Sequence, residues 1–447
     1  MAVYKHGVYV TEQPTGVVAP VQSTAGLQVV IGTAPINRAS DPYRCTNVPI
    51  LATSLKEATA ALGYDDDYEK YTLCQSMGAC FKVLGVSPVV YINVLDPAKH
   101  KKTMTETTVQ VNSGVATVAV KDILLDKLVV KSASTTLTAG TDYTAAFDDD
   151  GYVTIAIIPG GKAASATSLT VSGTQIDPTA VTADDVVGGV NAQGVETGME
   201  VIRQIYPALN MTPGILLAPG WSENATVAAG LQAKTTGING VFRAVCIVDV
   251  DSSTTGAKMY TGVKQQKEKQ AITSANCYPV WLYAKVGDVV YAGSAMAAAL
   301  TVATDAANGD IPYVSPSNKT LAISAACLKD GTEVLLDQEQ ANVVNSFGVA
   351  TWLNMSGFRL WGNNTACYPG NTDPKDRWFS VRRFMNWDDN TFIQTYFQKV
   401  DDPLNKRLIE ALVDSENVRG NSFVSRGICA RHEIQYIESE NPTTSLL

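Results

Sequence analysis

Phe347 to Phe384 reads FGVATWLNMSGFRLWGNNTACYPGNTDPKDRWFSVRRF, a series of short apolar runs broken by turn residues. Val349, Thr351 and Leu353 alternate with Ala350 and Trp352, a period near two that predicts a strand. Phe358, Leu360 and Trp361 form a second run, stopped by Gly362-Asn363-Asn364. Trp378 to Phe384 forms a third and carries the adjacent pair Arg382-Arg383. The stretch has neither the spacing of a nucleophile with its base nor that of a metal site. It does concentrate tryptophan and arginine, residue types enriched at protein interfaces. An ordinary α+β core with a few surface arginines has the same composition, so the residues alone leave both readings open.

The chain around it has 447 residues, enough for two to four domains. Hydrophobic residues make up 45% and charged residues 17%, a globular and weakly charged composition. Formal net charge is −9 with no basic block, which excludes the electrostatic footprint of nucleic-acid binding. Apolar runs fall short of a membrane span. The opening MAVYKHGVYV lacks the apolar core of a signal peptide, so folding in a cytoplasm is expected. The eight cysteines are scattered among apolar neighbours and are expected to be buried free thiols.

Residues 1–22 are expected to form an extended arm, β-prone at Val8-Tyr9-Val10 and then interrupted by Pro14, Gly16 and Pro20. Leu27–Thr33 and Val89–Leu95 predict buried strands. Ser54 with Glu57 predicts a capping box opening a helix that ends near Gly63. Tyr68–Leu84 has helical spacing up to Gly85. From Asp96 to Asp185 the texture changes to short strands separated by Ser, Thr, Gly and Asp turns, with Asp148-Asp149-Asp150-Gly151 the clearest hairpin signal. The α/β pattern then resumes. Val195–Ile205 predicts a helix, Pro213–Gly220 and Val241–Val250 strands, Lys258–Thr273 a helix and Pro279–Tyr283 a strand. Asp402 and Pro403 predict the start of a helix with an apolar stripe at Leu404, Leu408 and Leu412. Gly420 and Gly427 mark turns, and Ile428–Ile437 is strand-like. The expected fold is α/β: a central, mostly parallel sheet with flanking helices, an inserted all-β domain and an α+β C-terminal module. The domains are 1–22 as arm, 23–95 with 186–345 as core, 96–185 as insert and 346–447 as C-terminal module.

Several of these segments resemble the sheath proteins of contractile bacteriophage tails and related injection machines. Trp361-Gly362 with Thr365, then Val381-Arg382-Arg383-Phe384, is similar to the C-terminal module of that family. Gly7-Val8-Tyr9-Val10-Thr11-Glu12 matches its opening signature. The strand Pro213–Gly220, Asp305 with Gly309, and Pro316-Ser317-Asn318 follow in the family order. The chain departs from the pattern at Asn364, where the family often has Arg, and at Tyr291-Ala292-Gly293-Ser294, where it has a Pro-Pro turn. The resemblance implies a structural subunit that polymerises around a tail tube and contracts to drive it through a target envelope. It implies self-assembly through Gly7, Val8, Tyr9, Val10, Glu12, Trp361, Arg382 and Arg383, and tube contact through Lys406, Arg407 and Glu410. Baseplate and tail terminator proteins are the further partners, the location is a virion tail or tailocin-like particle, and no cofactor or metal is implied. The insert would project outward as a module whose loss spares the core. The family continues with one more strand that pairs with a neighbour; this chain is expected to lack or shorten it.

Enzyme motifs fail on inspection. Gly160-Gly161-Lys162 has Ala156 where a phosphate loop needs its first Gly and Ala163 where it needs Ser or Thr. His432-Glu433 lacks the second His of a zinc helix, and no G-x-S-x-G elbow occurs. The alternative from the α/β pattern is an enzyme or ligand-binding protein with a β insertion, since open parallel sheets bind ligands at strand C-termini.

Overall fold

The computed structural model describes residues 24–401, 406–437 and 439. It is a mixed α/β structure with several sheets and helices. Val29, Val30 and Ile31 of the strand Gln28–Gly32 are fully buried. A continuous apolar run suits a strand covered on both faces, and this one lies inside a six-stranded sheet. The order is Cys277–Trp281, Val245–Val250, Ile215–Leu217, Gln28–Gly32, Val89–Asn93, Pro49–Ala52. Neighbours are parallel except the last pair, where Pro49–Ala52 runs antiparallel to Val89–Asn93. The chain fills one side of Gln28–Gly32 first and the other side later, so the winding reverses between Gln28–Gly32 and Ile215–Leu217.

Helices cover this sheet. Leu55–Leu62 starts at Ser54, whose side chain accepts from Glu57 N, and ends at Gly63 with φ 74°. The box is half formed, because the Glu57 carboxylate takes the backbone N–H of Thr53 instead of Ser54. The helix expected over Tyr68–Leu84 begins four residues later, as Thr72–Met77, and widens to a π-helix over Gly78–Leu84. It passes so close to the first strand that a Cβ on Gly32 would lie 2.2 Å from Thr72 Oγ1. Gly293–Ala306 is buried over nearly its whole length and has no amphipathic period to announce it.

Three expectations in this region change. Val195–Ile205 is not one helix: Glu196–Gly198 pairs with Gly188–Val190, a 3-10 turn spans Met199–Gln204, and the α-helix is Ile205–Leu209. Gly198, at φ 57° and pressed against Val186 O, breaks the run. The strand expected from Val241 begins at Val245, because Ile238 and Phe242 pair in a turn before it. Lys258–Thr273 shortens to the helix Val263–Lys269.

Between Lys101 and Ile176 the strands form two antiparallel sheets. One has the order Lys101–Gln110, Ser168–Ile176, Val129–Ser132, Thr135–Thr136; the other Val115–Val118, Val153–Ile157, Tyr143–Phe147. Val118, Val130, Val153, Ile155 and Val171 make a fully buried core between them. The hairpin at Asp148–Gly151 forms as its sequence predicts, with Tyr152 N donating to Asp148 Oδ1 at 2.8 Å and Gly151 at φ 84°. His100 and Asp185, at the two ends of this region, face each other with Nε2 and Oδ2 3.4 Å apart.

The chain divides into two compact units, Thr24–Trp387 and the described residues from Asp388 onward. In the first, Thr351–Asn354 and Phe358–Trp361 form the expected hairpin. Ala350 joins it to the edge of the central sheet: Ala350 N donates to Pro279 O at 2.9 Å and Trp281 N to Ala350 O at 2.8 Å. The third apolar run opens the helix Phe379–Tyr396. The second unit holds the helix Lys406–Ser425; its expected start at Asp402-Pro403 lies outside the described residues. Gly420 is not a turn but sits inside this helix, where a Cβ would meet His432 Nδ1 at 2.3 Å. Ile428–Ile437 is not a strand; Asn417 holds it by a reciprocal pair with Ile434, 3.1 and 2.9 Å.

Candidate functional site

Gly7, Val8, Tyr9, Val10 and Glu12 lie outside the described residues. Trp361 ends the hairpin half-buried, its indole Nε1 donating to Asn342 Oδ1 at 3.0 Å. Gly362 follows at φ 131°, a left-handed conformation for which glycine is suited. A Cβ there would also meet Ala350 at 3.1 Å. Thr365 is fully buried: its Oγ1 donates to Asp376 O at 2.6 Å and its N to Arg377 O at 2.7 Å. Asn364 accepts from Arg377 Nε at 3.0 Å, and the same guanidinium stacks on Tyr368 and Trp378 at 4.2 and 4.3 Å. The spacing W-G-x-x-T thus has a local cause in turn geometry and hydrogen bonding.

The two arginines differ. Arg382 bonds Asp376 at 3.2 Å and Asn386 at 3.1 Å and keeps part of its side chain at the surface. Arg383 is 3% exposed. Its fork grips the equally buried Asp305 with both nitrogens, Nη1 to Oδ1 at 3.0 Å, and Nη2 also donates to Ala25 O at 3.3 Å. It ties the helix Phe379–Tyr396 to the end of the buried helix Gly293–Ala306. Sequence reading set the two arginines side by side as interface residues; within this chain Arg383 is an interior group.

Lys406 and Glu410 lie in the second unit as an (i, i+4) pair at 3.7 Å, 90% and 61% exposed, with Arg407 exposed beside them. Such a pair contributes little to stability, so these charges are available to a partner. The same unit encloses Arg419, which pairs with Glu416 at 2.6 Å and Asp388 at 2.7 Å, while His432 Nε2 lies 2.9 Å from Asp388.

Sequence reasoning missed Lys267. In KQQKEKQ it looks like one of several solvated lysines, yet it is 7% exposed. Its ammonium donates to the carbonyls of Phe347, Ala366 and Tyr368 at 2.6, 2.7 and 3.1 Å. Burial pulls its pKa down to about 8.

A cleft of about 530 Å³ lies at the winding reversal, lined by Thr72, Gln75, Trp221, Tyr283 and Lys329 among others. Its polar groups are engaged with one another. Trp221 Nε1 donates to Thr72 at 3.2 Å, Gln75 bonds Tyr68 O and Ala292 N, and Tyr283 and Lys329 both bond Glu223. Burial pushes Glu223 up to about 6. Among the described residues no group of three His, Cys, Asp or Glu side chains could hold a metal, and all eight cysteines are free, six of them buried.

No protein-family model matches the chain. In fold it is similar to the anti-feeding prophage helical sheath in its contracted state, with TM-score 0.52 and 14% identity, over 95% of this chain and 85% of that one. It is also similar in fold to the crystal structure of a sheath tail protein from Desulfitobacterium hafniense, with TM-score 0.51 and 10% identity, over 94% of this chain and 89% of that one. The fold is therefore that of contractile sheath proteins. In sequence the chain is 29% identical over 460 residues to the tail sheath protein of Burkholderia phage BcepMu, covering 99% of this chain and 91% of that protein. In sequence and in fold the chain is thus similar to the tail sheath proteins of contractile phages.

Proposed function

We propose that the chain is the repeating subunit of a contractile sheath that surrounds a tail tube and shortens to push that tube through a target cell envelope. The observation that carries this is sequence likeness to a phage tail sheath protein along 99% of the chain. In this reading many copies bind one another, the residues 1–22 arm pairs with a neighbour through Gly7, Val8, Tyr9, Val10 and Glu12, and Trp361 with Arg382 adds contact from the C-terminal module. Arg383 acts by holding the helix Phe379–Tyr396 in place. Lys406, Arg407 and Glu410, exposed on one helix turn, face the tube. Baseplate and terminator proteins bound the assembly, which forms in the host cytoplasm and is carried as a virion tail or tailocin-like particle. Residues 96–185 are the outward module, and 23–95 with 186–345 and 346–447 the core and assembly modules. Contraction draws on new contacts between near-rigid subunits and needs no nucleotide.

The test is sedimentation of the concentrated chain beside a variant lacking residues 1–20. The full chain is expected to pellet as large assemblies, and the shortened one to stay folded and small. Equal pelleting would remove the arm from the account, and a full chain that never pellets would count against the sheath reading.

A further inference from the structure

We infer that the carbonyl oxygens of Phe347, Ala366 and Tyr368 form a primary-ammonium site, filled from within the chain by Lys267, whose occupancy sets the position of the segment carrying Trp361 and Thr365. An alkylammonium group has three N–H donors, and the structure supplies three acceptors at 2.6, 2.7 and 3.1 Å. All three are backbone carbonyls. A buried charge is costly unless its hydrogen bonds are made, and carbonyl clusters can replace the hydration shell of a monovalent cation.

The acceptors come from two places that the fold must bring together. Phe347 caps the helix Gln338–Ser346, and the carbonyls at a helix C-terminus carry partial negative charge. Ala366 and Tyr368 follow the hairpin; Ala366 N also donates to Cys277 O at 2.8 Å, on the edge strand of the central sheet. Gly348, at φ 70°, keeps the floor open: a Cβ there would lie 2.5 Å from Tyr368 O and 3.2 Å from Lys267 Nζ. Lys267 itself stands on the helix Val263–Lys269 of the core. The ammonium therefore joins a core helix, a helix end and a loop through three carbonyl oxygens.

The test removes the ammonium and returns it. Lys267→Ala deletes four heavy atoms, which n-propylammonium replaces in shape and charge and 1-propanol in approximate shape without charge. Hydrogen exchange is read on the unassembled chain, so the outcome is independent of sheath formation. In Lys267→Ala, amides of 345–368 are expected to exchange roughly tenfold faster while the central sheet is unchanged. n-Propylammonium restores protection and 1-propanol does not. Lys267→Met, which keeps the stem without the charge, shows the same local loss. Wild-type protection in Lys267→Met, or equal rescue by 1-propanol, overturns the inference. If a variant fails to fold, refolding yield replaces exchange: a yield raised by n-propylammonium alone supports the site, and equal yields with both additives overturn it.

Discussion

Replacing Arg383 with Met separates an interior role from an interface role. The guanidinium and the Asp305 carboxylate are both nearly fully buried and bonded through both oxygens. Removing the cation leaves that carboxylate without its counter-charge, and breaking such a pair from one side costs about 3–5 kcal/mol. Unfolding entropy of roughly 2 cal/mol/K per residue makes each kcal/mol about 1.3 °C for a unit the size of Thr24–Trp387, so the expected drop in Tm is about 4–7 °C. The assay is thermal unfolding of the unassembled chain at low concentration, followed by circular dichroism. Adding Asp305→Leu to Arg383→Met should recover much of the loss, because an apolar pair in the same space leaves no buried charge. An Arg383→Met protein that melts with the wild type would refute the reasoning. If it also failed to assemble, Arg383 would be a contact residue after all.

Burial raises the Asp185 carboxyl, but Lys99, Thr182 and His100 outweigh it and hold it at about 2. A depressed acid contributes fully above its unfolded value and is lost as pH falls through about 2; discounted for its exposure, that is about 1 kcal/mol. Unfolding free energies of wild type and Asp185→Asn should therefore differ at pH 5 and converge near pH 2, whereas a constant gap would remove the charge from the account. Gly420→Ala has two opposing terms: alanine favours a helix interior by about 1 kcal/mol, while its Cβ meets His432 at 2.3 Å. The clash should win and destabilise the second unit by roughly 1–3 kcal/mol, visible as faster exchange around 428–437; a more stable variant would contradict the packing. Lys406→Glu and Arg407→Glu should leave melting unchanged within about 0.5 kcal/mol and weaken co-sedimentation with the tail tube. Unchanged co-sedimentation would take both residues out of the tube interface.

Segments with a simple pattern were legible. Gln28–Gly32 and Val245–Val250 are mostly apolar strands buried along their whole length, and the Thr351–Trp361 hairpin alternates around a turn. The buried helix Gly293–Ala306 was missed because GSAMAAALTVATDA is small or apolar on every side and so has no period. Val195–Ile205 misled for the opposite reason: its apolar spacing is helical, but Gly198 adopts a positive φ that divides it. At the candidate site, W-G-x-x-T was visible as a motif, and its cause in Thr365 and Gly362 emerged with the fold. Arg383 and Lys267 were illegible as interior groups. The partners that neutralise or hydrate them, Asp305 and three backbone carbonyls, lie about 80 to 100 residues away in sequence.

The central claim is that this chain builds a sheath, and electron microscopy of the purified, concentrated protein tests it most directly, with mass in solution measured alongside. The account predicts hollow tubes or stacked rings with a matching high mass. A chain that stays a folded monomer by mass at every concentration, with neither tubes nor rings in the micrographs, would contradict it.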